Sequence, residues 1–314
     1  MNSKKANWSF LITIVVYVGV IFLLAIFVPF LAGDLVLNNL ICEVVLLLPI
    51  LLFILASKDK LLTFFPFHKI KFTSILMIAL FTFLSFPFLS LLNVTSQLWV
   101  ENEVAAAMEE LQIAQMPFLL VYLSIGIIAP VFEEVICRGA YYGSYRKSGS
   151  AFKAMLLSAL LFALFHMNIN QATYAFAMGI MAVLLVEATG SLWSSILYHG
   201  FINGTQVLLM YVMLKNDPTI YSEQAEMLTT DMLIYVIAVY LIITALTLPL
   251  AWAVLVWLGR HEGRGAELAE VWTGRKEKKD KMVTVPLVLA LILCLSIMSG
   301  IFFHLIEKIM EMFV

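Results

Sequence analysis

The sequence predicts an all-α fold: a polytopic membrane helix bundle with about eight or nine transmembrane helices. Three observations predict it. Of the 314 residues, 62% are hydrophobic and only 13% are charged, about half the charged share of a soluble domain. The apolar residues run in long stretches. The charges fall between those stretches and alternate in sign from one connection to the next. No water-soluble fold could cover this much apolar surface.

A span needs roughly 20 apolar residues at about 1.5 Å rise each. The first stretch, 8–32, exceeds the roughly 7–15 residues of a signal-peptide core and is read as a retained helix. Stretches 35–57 and 72–94 follow. Residues 95–115 mix Leu, Ile, Met and Ala with glutamates, which predicts a short amphipathic helix outside the membrane. The fourth span is 116–143. The fifth and sixth, 151–167 and 170–188, are separated by a very short connection. The seventh is 191–214, the eighth 231–258 and the ninth 283–306. Residues 259–282 are strongly basic and are expected as a solvated cytoplasmic loop held against anionic lipid. No internal repeat interrupts the pattern, so 1–314 reads as a single transmembrane domain.

The connections orient it. Basic residues cluster before the first span (Lys4, Lys5), after the second (Lys58, Lys60, Lys69, Lys71), after the fourth (Arg146, Lys147) and after the eighth (Arg260, Arg264, Arg275, Lys276, Lys278, Lys279, Lys281). The opposite connections carry Glu101, Glu103, Glu109 and Glu110, then Asp217, Glu223 and Glu226. With nine spans, every basic cluster falls on one side. The positive-inside rule then makes the chain an integral multi-pass protein with a cytoplasmic N-terminus and an outside C-terminus. The formal net charge of −2, with no basic face carrying interleaved aromatics, gives no reason to expect a nucleic-acid partner. Cys42, Cys137 and Cys294 all lie in apolar runs and read as small buried residues rather than a disulfide framework.

Charged side chains inside spans cost roughly 2.5–3.5 kcal/mol each at a helix centre, so they mark function. The fourth span holds Glu133, Glu134 and Arg138. Glu134 and Arg138 are four apart and can pair on one face, while Glu133 points elsewhere. Pro130 predicts a bend that would open space beside Glu133. The fifth span ends with Phe162 and His166, again four apart. The seventh holds His199 and Asn203 at the same spacing. Gly139 with Gly143, and Gly200 with Gly204, form small-xxx-small pairs expected to draw helices together beside these polar groups. Glu43 in the second span and Glu187 near the end of the sixth read as interface residues.

A glutamate, two histidines and an asparagine on separate spans suit hydrolysis. Glutamate can take a proton from water, histidine can share that task or bind a metal, and His and Asn donors can hold an oxyanion. Neither a GxSxG elbow nor a soluble zincin string is present, since His261-Glu262 is followed by no second histidine.

Taken together, Glu133-Glu134 with Arg138, then Phe162 with His166, then His199 with Asn203, resemble the motif set of the CAAX protease and bacteriocin-processing (CPBP) family of intramembrane proteases. That family includes the type II CAAX prenyl endopeptidases. The resemblance covers about residues 116–214, which would form the catalytic core. It implies an intramembrane endopeptidase hydrolysing a peptide bond of a membrane-associated or lipidated substrate in the bilayer. Glu133 and His166 would activate water, and His199 and Asn203 would hold the oxyanion. Arg138 with Glu134 would brace the site, and Phe162 would shape the pocket. A divalent metal such as zinc, held by Glu133, His166 and His199, is compatible with this set, and so is a metal-free mechanism. Two other readings stand beside it: an ion- or proton-coupled transporter, and a non-catalytic bacteriocin-immunity membrane protein. Bacteriocin leaders, pheromone precursors and C-terminally lipidated proteins are equally compatible substrates. One geometric difficulty follows from the span boundaries. They leave Glu133 near mid-membrane, His199 about 10 Å from the cytoplasmic end of its span, and His166 near the far end of its own. Convergence requires the fifth span to be shifted, tilted or broken.

Overall fold

The computed structural model describes residues 1–28, 34–60, 64–227, 229–274 and 281–311, with side chains described for all of these except 224–227 and 309–311. The end of the first expected span (29–32), the side chain of Glu226, and Arg275, Lys276, Lys278 and Lys279 lie outside the described residues. Among the described residues the chain is all-helical, with no strand. In chain order the helices are α1 (Ser3–Phe27), α2 (Leu35–Ala56), α3 (Phe72–Ser96), α4 (Glu103–Glu110), α5 (Phe118–Ser148), α6 (Ala151–Phe165), α7 (Ile169–Thr189), α8 (Leu192–Asn216), α9 (Ile220–Met227), α10 (Thr230–His261), α11 (Gly265–Thr273), α12 (Val285–Met298) and α13 (Ile301–Glu311).

Many helix starts carry the side chains that sequence logic demands. Asn2, Asp34, Asn102, Ser150, Asn168, Ser191 and Thr229 each accept a backbone N–H of the first turn. Among the described residues six helices are long and apolar enough to cross a membrane, or seven if the α12–α13 pair counts as one. In addition α8, at 25 residues, is long enough to span.

Among the described residues each of the nine expected stretches contains a helix, and these stand in the expected order. One differs in shape. The ninth is not one straight span: α12 and α13 meet at 82°, and Gly300 takes φ +75°, a turn that lacks a Cβ penalty. The fifth, α6, has 15 residues, close to its expected stretch, and at about 22 Å it is shorter than a hydrocarbon core of about 30 Å.

The helix α7 is the centre of the bundle. Its apolar window is 72% buried, against 17% for α1 and 11% for α10, which face outward. Connections near each end of the bundle touch one another. At one end Ser3 N–H donates to Ser148 (3.3 Å), the Asn7 amide to the Met282 carbonyl (2.9 Å) and Leu192 N–H to the Pro66 carbonyl (2.9 Å). Lys71 bonds the His261 carbonyl there as well. At the other end Tyr211 donates to the Met116 carbonyl (3.1 Å). There too the Glu109 carboxylate accepts the Tyr221 and Ser222 amides (2.8 and 3.1 Å) at the start of α9. Hydrogen bonds from Ser222 hold the Glu109 carboxyl below the usual glutamate range.

The basic stretch 259–282 is not simply a solvated loop. Within it α11 is amphipathic and buries Leu268 and Val271. Arg264, just before it, donates Nε to the Glu187 carbonyl (3.0 Å) and reaches the Glu187 carboxylate at 4.0 Å. Burial of one apolar face and these contacts hold the helix on the bundle. Glu187 also accepts from Tyr142 (2.6 Å) and faces Arg146 (3.5 Å). It is an interface residue, as its position suggested. Cys137 and Cys294 are buried, Cys42 is partly so, and all three are free thiols.

Candidate active site

The site is built on α5, whose 31 residues are not a regular α-helix. Two π-helical stretches, Ser124–Ile128 and Val135–Tyr142, flank the turn that carries Pro130, Glu133 and Glu134. π turns inside α-helices are frequent at functional sites because they re-aim side chains. Pro130 has no N–H to give. In the first π stretch the Ala129 N–H donates to the Ser124 carbonyl, so the next carbonyl, Ile125, faces Pro130 and has no helical donor. The Asn203 amide of α8 fills that vacancy (3.2 Å). On the other side the Asn39 amide of α2 donates to the Ser124 carbonyl (3.2 Å) and hydroxyl (3.1 Å).

The approach of α8 is permitted by glycine. A Cβ on Gly126 would meet the Gly204 Cα at 3.2 Å, and one on Gly200 would meet the Gly126 carbonyl at 3.2 Å. The Gly200/Gly204 pair therefore draws helices together as expected. The Gly139/Gly143 pair does not. Gly143 has open space, and Gly139 receives the Phe65 ring, which a Cβ would meet at 2.5 Å.

All seven expected residues converge. Glu134 and Arg138 are both fully buried, with Arg138 Nη1 2.9 Å from Glu134 Oε1. This is an ion-pair contact without hydrogen-bond alignment, since all three guanidinium nitrogens lack a directed partner. The guanidinium lies 4.3 Å over the Phe162 ring, a cation–π contact that offsets part of its desolvation. Glu134 Oε1 also accepts from His199 Nδ1 at 2.9 Å. The carboxylate faces a permanent cation, so Nδ1 is the donor and the Nε2 lone pair faces the cavity.

His166 caps α6, and its Nδ1 lies 2.8 Å from the Phe162 carbonyl. A carbonyl can only accept, so this histidine too presents an Nε2 lone pair. The chain turns back immediately after it, with Met167 at φ +50° and Asn168 capping α7 (2.7 Å). The separation that the span boundaries implied does not hold, since both imidazoles reach Glu133. The Nε2 atoms of His166 and His199 lie 4.0 and 3.8 Å from Glu133 Oε2. Both imidazole rings meet the Phe162 ring edge to face, at 4.9 and 5.6 Å.

Glu133, His166, His199 and Asn203 line a cavity of about 450 Å³ together with Glu103 and Gln206. That volume suits a short peptide segment. A water about 2.8 Å from Glu133 Oε2 and from either Nε2 fits the separations. Tetrahedral zinc ligands at about 2.0–2.1 Å from the ion lie about 3.4 Å apart. The Glu133–histidine separations are wider, and among the described residues no three His, Cys, Asp or Glu side chains are placed to hold a metal ion. As they stand, Glu133, His166 and His199 do not form a ligand set.

Glu43 of α2 lies behind Glu133. It is 4% exposed, and its carboxyl is within hydrogen-bonding reach of that of Glu133. Asn39, which braces the π stretch, is one helical turn before it. Neither α2 residue belongs to the 116–214 stretch. A polar residue amid an apolar run was the sole signal of Glu43.

Residues 115–205 match the family model described as type II CAAX prenyl endopeptidase Rce1-like. The Bacillus subtilis (strain 168) protein named "Putative membrane peptidase YdiL" is 26% identical over 104 residues, which is 33% of this chain and 42% of that relative. The similarity thus spans less than half of the relative's length. No solved structure matches the chain significantly. The stretch that carries all seven site residues is therefore similar to the Rce1-like type II CAAX prenyl endopeptidases, and it is set in a multi-pass membrane helix bundle.

Proposed function

We propose that the chain is an intramembrane endopeptidase, with a catalytic core of about 116–214, that hydrolyses a peptide bond of a membrane-associated or lipidated substrate. The observation that carries this reading is the meeting of one carboxylate oxygen and two imidazole lone pairs in one cavity of the helix bundle. The Rce1-like match over the same residues supports it.

In this mechanism Glu133 takes a proton from a water held between it and His166. The water oxygen attacks the carbonyl carbon, and the C=O electrons move to the oxygen. His199, steadied through Nδ1 by Glu134, takes a proton from solvent on its free Nε2 as substrate binds and donates that N–H to the oxyanion. The Asn203 N–H not engaged by Ile125 is the second donor. The proton held by Glu133 then passes to the departing amine as the C–N bond breaks. Arg138 keeps Glu134 ionised, and Phe162 holds Arg138 and both imidazoles in register.

The test is hydrolysis of a membrane-peptide library by detergent-purified protein, wild type beside Glu133→Gln and His166→Ala, each with and without chelator. Turnover should fall by roughly 10²–10⁴-fold in both variants. Turnover unchanged in both would sink the reading. A chelator-sensitive activity restored by zinc would show that the histidines and Glu133 close on a metal during turnover.

A further inference from the structure

Each of the other carboxylates embedded in the bundle has a cationic or donor partner. Glu134 has Arg138 and His199. Glu187 has Tyr142, Arg146 and Arg264. Glu43 has none of these. It is buried on α2, its Oε2 has no hydrogen-bond donor, and the Glu133 Oε2 has none either. The two carboxyl groups nonetheless lie within hydrogen-bonding reach of each other. Two carboxylates in that position would repel and leave both buried oxygens unsatisfied. One proton between them converts the contact into an acid–carboxylate hydrogen bond, which is among the stronger kinds.

The proton belongs on Glu43. Glu43 is the more enclosed of the two, behind the cavity wall, while the Glu133 side chain keeps 20% exposure and faces the two imidazoles. Asn39 lies four residues earlier on the same face of α2 and braces the adjacent π stretch. This face of α2 therefore supports the Glu133 turn at two points.

We propose that Glu43 is a positioning residue for the hydrolysis assigned above: its carboxylic acid donates a hydrogen bond to Glu133 and fixes the Glu133 carboxylate toward the cavity. The proposal rests on the protease reading for its kinetic consequence, but not for the hydrogen bond itself.

Two measurements on the full chain in detergent test it. The first is kcat and KM for the library peptide that wild type cleaves fastest, with Glu43→Gln and Glu43→Leu. The glutamine amide can still donate, so Glu43→Gln should stay within about threefold of wild-type kcat. Glu43→Leu should lose about 10–100-fold in kcat with KM within about twofold. Wild-type kcat in Glu43→Leu, or an equal loss in both variants, overturns the proposal. The second is infrared spectroscopy of the resting protein, which needs no substrate and no Glu43→Leu protein. A protonated-carboxyl carbonyl band should be present in wild type, absent in Glu43→Gln and shifted in Glu133→Gln. Its absence from wild type overturns the proposal. A band that behaves as expected in a protein that cleaves no peptide upholds the Glu43–Glu133 hydrogen bond and counts against the protease reading alone.

Discussion

Phe162 touches three of the charged or polar groups of the site, and its position explains why Arg138 can be buried. The ring receives the guanidinium on its face and the two imidazoles at the ring. Glu134 supplies the counter-charge. Removing one member of a buried pair leaves the other uncompensated. Arg138→Leu should therefore destabilise the protein by about 3–5 kcal/mol, whereas Glu134→Gln combined with Arg138→Leu should recover part of that loss. A double-mutant cycle on unfolding in detergent reads the difference. Equal losses in the single and double variants would mean that the pair is not the stabilising unit. The i, i+4 spacings made the Glu134–Arg138 and Phe162–His166 neighbours legible in the sequence. The tautomers were not legible, because they depend on which carbonyl or carboxylate each Nδ1 meets in space. Nor was the partner of Glu43, which comes from a helix about 90 residues away.

At the scale of elements, α5 is shaped by what proline and glycine permit. Pro130 empties the Ile125 carbonyl of its helical donor, the π stretch absorbs the mismatch, and Asn203 docks there. Gly126 lets α8 come close enough for that bond. A large side chain at 126 must push α8 away, and with it His199 from Glu134. Gly126→Leu should lower both stability and turnover, the latter by at least about tenfold, since small displacements of reacting groups are costly. Gly143→Ala meets open space and should be neutral or stabilising by up to about 1 kcal/mol. Unfolding midpoints and kcat of the two variants decide this, and a tolerated Gly126→Leu would remove the close approach from the account. The helices themselves were legible from hydrophobic run length. The π turns and the bend at Gly300 were not, because a hydropathy pattern records how apolar a stretch is and not where its hydrogen-bond register changes.

At the scale of the whole molecule, the two ends of the bundle differ in charge. The connections that carry Lys4, Lys5, Lys69, Lys71, Arg146, Lys147, Arg260 and Arg264 are tied to one another at one end. Glu103, Glu109, Glu110 and Asp217 belong to the other end, where α4 and α9 are joined through Glu109. Anionic lipid and the insertion machinery retain Lys- and Arg-rich loops in the cytoplasm. The acidic end, and with it the part of the cavity that Glu103 lines, should then face outside. Lys4 and Glu110 are both exposed, so Lys4→Cys and Glu110→Cys are suitable reporters. Cys137 and Cys294 are buried and Cys42 is partly covered within α2, which keeps them from a membrane-impermeant thiol reagent. In right-side-out vesicles Glu110→Cys should label and Lys4→Cys should not, and inverted vesicles should exchange the two. The reverse pattern would turn the cavity toward the cytoplasm and make its substrates peptides presented from inside the cell. Labelling of both sites from one side would break the parity of the spans between them.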